Sequence, residues 1–155
     1  MSITPTSSHA YGIRLIAVIV GAAVGVAYYQ MYYLPELTAK PKISEEILNP
    51  VDITHIEMIK GSANSEQKDN FIPKLVNVQL GVDNKVVWTN KDEVAHSVTP
   101  DTPYKDLYSG DFGSEGLVKP GTTYEFLFTD EVKITYHCEP HPWMRGTVDV
   151  TKQRF

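Results

Sequence analysis

Cys138 is the only cysteine in the chain, and it closes a run in which Val132, Ile134, Tyr136 and Cys138 occupy alternate positions. A strand turns successive side chains to opposite faces. That spacing therefore delivers the thiol to the inward face at one end of a sheet. A lone cysteine excludes an intrachain disulfide and any multi-cysteine zinc or iron–sulfur cage. His141 follows three residues later and Met144 three beyond that. Thiol, imidazole and thioether thus share one short loop, Cys138-Glu139-Pro140-His141-Pro142-Trp143-Met144. Pro140 and Pro142 stiffen it, because proline fixes φ and lacks an N–H.

One further imidazole would complete a His₂Cys set with a weak, long methionine contact, the pattern of blue-copper electron-transfer sites. His96, in Trp88-Thr89-Asn90-Lys91-Asp92-Glu93-Val94-Ala95-His96-Ser97-Val98, is the candidate. The expected metal ligands are therefore His96, Cys138, His141 and Met144. Cysteine ligates as the thiolate. Two neutral imidazoles and one thiolate leave Cu(II) with a single net positive charge and Cu(I) with none. Such a centre can lie below the surface without the desolvation cost of an uncompensated ion. Methionine argues against zinc, which takes Cys, His or carboxylate. No open position for a substrate is evident, so a carrier is expected rather than an enzyme.

Other segments read as strands of an all-β sandwich. Val76, Val78 and Leu80 share one face, with Asn77 and Gln79 on the other. Gly81-Val82-Asp83-Asn84 makes a turn, and Lys85–Asn90 returns with Val86 and Trp88 facing one way, Trp88 into the core. Tyr124, Phe126 and Phe128 repeat the alternation, and Thr147–Val150 forms the last strand. His137 neighbours Cys138 and so points to the opposite face. Between the halves, Thr99 to Gly116 is a polar excursion with a short helical turn expected around Tyr104–Tyr108. Its acids Asp101, Asp106, Asp111 and Glu115 read as a solvated loop, the alternative being a patch that steers a basic redox partner.

The run Tyr136-His137-Cys138-Glu139-Pro140-His141-Pro142-Trp143-Met144-Arg145-Gly146, together with the His96 segment, resembles the copper-binding segments of the cupredoxins, in particular the amicyanin and plastocyanin-like branch. The similarity extends over roughly Val51 to Val150 and takes in Phe71-Ile72-Pro73 and Leu117-Val118-Lys119-Pro120-Gly121. It implies a Greek-key β-sandwich, one copper ion cycling between Cu(I) and Cu(II), and redox proteins in or at the membrane as partners. It also implies that the Ser97 backbone amide donates to the Cys138 sulfur. Many members carry Asn directly after the first histidine, where this chain has Ser97. Pro140, Pro142 and Trp143 are expected to rim His141 where it nears the surface and electrons enter.

From Leu15 to Leu34 the chain carries no charged residue. Twenty helical residues rise ~30 Å, the hydrocarbon thickness of a bilayer. Tyr28, Tyr29, Tyr32 and Tyr33 cluster where an aromatic belt would sit, and Pro35 is expected to stop the helix. Gly25-Val26-Ala27 would suit a cleaved signal peptide, but the apolar run continues past it, favouring an uncleaved signal-anchor. The expected organisation is a tail over 1–14, a transmembrane helix over 15–34, a partly extended linker over 35–50 and the β-domain over 51–155. Arg14 precedes the span while Lys40 and Lys42 follow it, so loop charge gives no clear orientation. The resemblance places the domain on the extracytoplasmic (periplasmic or extracellular) side. Gly21 and Gly25 form a G-x-x-x-G match through which membrane helices can pair. A formal charge of −5 and the lack of a basic stripe exclude nucleic acid as a partner. The function expected is a membrane-anchored electron carrier. The alternative is an accessory subunit of a membrane copper-enzyme complex, with copper structural or absent.

Overall fold

The computed structural model describes residues 8–38 and 42–152. They divide into two units, Met1–Lys40 and Pro41–Phe155.

The first unit is helical, with α1 (Ser8–Tyr28), one π-turn (Tyr29–Tyr33) and α2 (Leu34–Thr38) in succession. Pro35 does not stop the helix, contrary to the sequence expectation. Proline removes an amide donor and its ring crowds the carbonyl four residues back. Here the preceding turn widens, and the Leu34 amide donates to the Tyr29 carbonyl, five residues back. Pro35 then falls in the first turn of α2, where no amide donor is required. Tyr11–Leu37 is long and apolar enough to cross a membrane, and its side chains are exposed throughout. Tyr28 stacks on Tyr32 and Tyr29 tilts against Tyr33, at 5.4 and 5.3 Å between ring centroids.

The second unit begins with α3 (Glu45–Leu48), followed by strands β1 (Ile53–Met58), β2 (Phe71–Ile72), β3 (Leu75–Gln79), β4 (Lys85–Asn90) and β5 (Thr99–Pro100). Then come β6 (Lys105–Asp106), β7 (Gly110–Asp111), β8 (Thr123–Leu127), β9 (Val132–Cys138) and β10 (His141–Thr151). They form two mixed four-stranded sheets, β2-β1-β4-β8 and β3-β10-β9-β5. β1 runs parallel to β4 with Ile56 opposite Trp88, and β3 parallel to β10 with Val76 opposite Val148. Because alternate residues face inward, the core collects Ile56, Met58, Val86, Trp88 and Phe126 from one sheet. The other contributes Val76, Val78, Ile134, Tyr136, Val148 and Val150. The fold is the expected mostly-β sandwich.

Two segments differ from expectation. The stretch ahead of β1 is not simply extended: α3 lies against the β3–β4 turn, where the Asn84 side-chain amide donates to the carbonyls of Ile47 and Phe128 at 2.9 and 2.6 Å. Residues 104–108 form no helical turn. They enter the β6–β7 hairpin, closed by Asp106, which accepts the Tyr108 and Ser109 amides at 2.8 and 2.9 Å. Asp106 also accepts the Thr129 amide and hydroxyl, at 2.7 and 2.8 Å, and is 1% exposed. It is therefore a buried clasp, neither a solvated acid nor part of a steering patch.

Candidate metal centre

Antiparallel register sets Cys138, the last residue of β9, opposite His141, the first of β10. The register then shifts before Arg145. Such a bulge re-aims side chains; here Pro142 and Trp143 stay exposed while Met144 turns fully inward. His96 comes from the connection after β4. Its backbone bridges Val118: the His96 amide donates to the Val118 carbonyl at 3.1 Å, and the His96 carbonyl accepts the Val118 amide at 2.6 Å. The Asn90 side-chain amide fastens both sides of that connection by donating to the Val94 and Val118 carbonyls, at 2.8 and 2.9 Å.

These elements bring three donor atoms together. His96 Nδ1 lies 3.1 Å from His141 Nδ1 and 3.6 Å from Cys138 Sγ, and His141 Nδ1 lies 3.5 Å from the same sulfur. The point equidistant from all three is ~2.0 Å from each, the length of ordinary bonds from a first-row metal to imidazole, and a small displacement from the donor plane lengthens the sulfur distance to the ~2.3 Å of a metal–thiolate bond. Two imidazoles and a thiolate, with no carboxylate among them, make a soft set suited to copper rather than to the hard cations. Residues and spacing both fit that ion. Cys138 and His96 are completely buried and His141 is partly exposed.

Electrostatics favour the ligating forms of Cys138 and His141. Burial pushes the Cys138 thiol up, but hydrogen bonding with His96 and with the Ser97 and His141 amides overcomes this and lowers it below its ordinary value. The Ser97 amide donates to Sγ at 3.3 Å. His141 is held below the usual imidazole value by burial and by its neighbour His96, so it presents a neutral ring at neutral pH. Burial disfavours protonation of His96, yet hydrogen bonds with Cys138 and Asp92 raise it. A metal entering here displaces protons, as it does wherever ligands must deprotonate.

Sequence reasoning missed Asp92. It is 5% exposed, and its Oδ2 accepts from His96 Nε2 at 2.8 Å, on the side of the ring away from the three donors. Burial works to raise the Asp92 carboxyl. Hydrogen bonds from Gly61, His96, Glu93 and Ala63 outweigh it and hold it at about 2. A carboxylate four residues before a histidine was the available signal. The closing loop, about thirty residues upstream, was not visible.

The remaining expected residues fall around this cluster. Ser97 does more than lend an amide: its hydroxyl accepts the Glu139 amide at 2.8 Å, stitching together the two segments that carry the donors. Trp143 is 38% exposed, its ring centroid 5.3 Å from that of His141, and its indole N–H donates to the Ser62 carbonyl at 3.1 Å. Pro140 and Pro142 are exposed as well. His137 faces away from Cys138 and meets Asp101 at 2.6 Å, with Arg145 on the other Asp101 oxygen at 3.5 Å.

A profile of the copper-binding plastocyanin/azurin family matches residues 57–151. Among characterised proteins, amicyanin from Paracoccus denitrificans is 33% identical over 77 residues, which cover 47% of this chain and 53% of amicyanin. The chain thus spans about half the length of that relative. A solved structure, a novel purple cupredoxin from Nitrosopumilus maritimus, superposes with a TM-score of 0.52 at 26% identity, covering 63% of this chain and 99% of that one. A copper-containing nitrite reductase from Thermus scotoductus shares the fold, with a TM-score of 0.51 at 17% identity over 75% of this chain and 28% of its own.

Proposed function

The chain belongs to the plastocyanin/azurin family of copper-binding proteins, a cupredoxin family of electron carriers, and from this we propose that it is a membrane-anchored carrier of single electrons. The observation that carries the reading is the convergence of His96 Nδ1, His141 Nδ1 and Cys138 Sγ to within 3.1–3.6 Å. Copper, when bound, supplies a one-electron Cu(II)/Cu(I) couple. His96, Cys138 and His141 hold it, with Met144 as the weak fourth contact. The Ser97 amide shares the negative charge of the sulfur. Trp143, Pro140 and Pro142 keep water from the flank of His141, the ligand a redox partner approaches most closely.

The residues that hold the donors are tied to one another by the Ser97–Glu139 bond and the His96–Val118 bridge. Little has to move when charge changes, which suits a carrier better than an enzyme. Tyr11–Leu37 acts as the anchor, with the β-domain on the extracytoplasmic side, where it meets redox proteins at the membrane surface. Full-length protein purified in detergent and loaded with Cu(II) should show an intense visible thiolate-to-copper band that Cys138→Ser abolishes. A colourless loaded protein, or a band that survives the substitution, refutes the proposal. Washing native membranes with alkaline carbonate should leave the chain in the pellet; its release would refute the anchor.

A further inference from the structure

We propose that Asp92 is a positioning residue of the copper centre: its buried carboxylate fixes which nitrogen of His96 faces the metal and sets a negative charge behind it that favours Cu(II) over Cu(I). This rests on the proposed ligand role of His96.

Asp92 Oδ2 lies 2.8 Å from His96 Nε2, and both side chains are nearly or fully buried. A carboxylate only accepts hydrogen bonds, so Nε2 carries a proton and, in the neutral ring, Nδ1 is left with a lone pair. Nδ1 is the nitrogen that faces Cys138 Sγ and His141 Nδ1. A partner on the far nitrogen commonly fixes tautomer, ring orientation and basicity in metal-bound histidines.

The carboxylate is held as firmly as the ring. Its Oδ1 accepts the Gly61 and Glu93 amides at 2.9 and 2.8 Å, and Oδ2 also accepts the Ala63 amide at 3.3 Å. The Asp92 amide donates to Asn90 Oδ1 at 2.8 Å. Loop residues 61–63 also receive the Trp143 indole at the Ser62 carbonyl. One loop therefore braces the partner of His96 and the rim of His141 together. A negative charge fixed in a poorly solvated place acts strongly on nearby charge. It favours the oxidation state with the larger positive charge.

Asp92→Asn keeps the shape and an acceptor oxygen and removes the charge. The control is Glu93→Gln, one residue away. Glu93 is exposed, pairs with Lys60 at 2.6 Å and makes no bond to His96, so its removal changes net charge equally. Potentiometric titration of the copper-loaded full chain should show Asp92→Asn shifting the Cu(I)-to-Cu(II) preference by roughly ten-fold or more, the scale of a unit charge removed from a poorly solvated position near the metal. At 59 mV per decade for a one-electron couple, that is a rise of ~59 mV. Glu93→Gln should move it by less than a third as much. Equal shifts in the two variants, or none in Asp92→Asn, overturn the proposal.

A second measurement needs neither variant. Nitrogen-15 NMR of the metal-free full chain, at a pH where the His96 ring is neutral, should find the proton on Nε2; a proton on Nδ1 overturns it. A chain that takes up no copper would refute the proposed function instead. The tautomer of His96 would then stand or fall on the NMR result alone.

Discussion

Removing one hydroxyl, by Ser97→Ala, tests how the two donor-bearing segments are held together. Ser97 is 3% exposed, and its Oγ accepts the Glu139 amide at 2.8 Å while sharing a hydrogen bond with Thr99 Oγ1 at 3.0 Å. Alanine leaves the Glu139 amide without that acceptor in the turn between Cys138 and His141. A donor stranded away from water costs about 1–3 kcal/mol. Because this amide is only partly buried, the lower half of that range applies, about 1–2 kcal/mol. With a denaturant slope of about 1–3 kcal/mol per molar urea for a small domain, the midpoint should fall by roughly 1 M with the slope unchanged.

The fluorescence of Trp88 and Trp143, both in the β-domain, reports the transition in the metal-free chain in detergent. Native-state exchange of the Glu139 amide should quicken by a factor of about 5–30, the equivalent of one or two kcal/mol. The bond to the sulfur comes from the Ser97 backbone amide, at 3.3 Å, and survives the substitution. The visible copper band should therefore persist. A midpoint that stays within ~0.3 M of wild type would refute the stitching role argued from the 2.8 Å bond. Loss of the visible band would instead show that the hydroxyl acts on the donors directly.

Two further substitutions probe the scaffold. Burial acts to raise the Asp106 carboxyl, but hydrogen bonds from Ser109, Thr129 and Tyr108 overcome it and lower it. A depressed folded-state value means stability that is present above the unfolded carboxylate's pKa and lost as pH falls through the folded one. Asp106→Asn should cost about 2 kcal/mol at pH 7, with the gap from wild type closing in acid. A gap that stays constant in urea titrations from neutral to acidic pH would refute the ionised clasp. A methyl group on Gly146 would overlap Tyr136 Cζ and Oη and lie 2.8 Å from Cε2. The Tyr136 ring is held between Phe71 and Trp88, at 5.0 and 5.7 Å. Gly146→Ala should therefore cost about 1–3 kcal/mol by overpacking, read as a lower melting temperature. A loss under ~0.5 kcal/mol, the scale of a surface change, would show that the ring can move aside.

Covalent continuity decided which parts of this protein could be read from its sequence. Cys138, His141 and Met144 occupy seven consecutive residues, and the alternation of Val132, Ile134 and Tyr136 fixes the face on which the first of them emerges. The sandwich was legible for the same reason, since β3, β4, β8 and β9 each carry a period-two pattern long enough to notice. The hairpin of β6 and β7 was not, because a two-residue strand has no period. α3, at four residues, likewise shows no helical repeat. Pro35 does not end the helix because the π-turn before it relieves the local clash on which a proline stop depends, and that turn has no signature in the sequence.

Asp92 is the instructive case. In the sequence it is one acid among several beside His96, and Glu93 has an equal formal claim on that ring. What separates them is tertiary: the amides of Gly61 and Ala63 meet Asp92 alone, while Glu93 turns outward to Lys60. Cys138 and His141, two of the three donors, can be found by spacing within one loop, and His96 lies on a separate segment. The carboxylate that bonds to His96 is chosen by a loop closing from elsewhere in the chain, and only the folded structure distinguishes it from its neighbour.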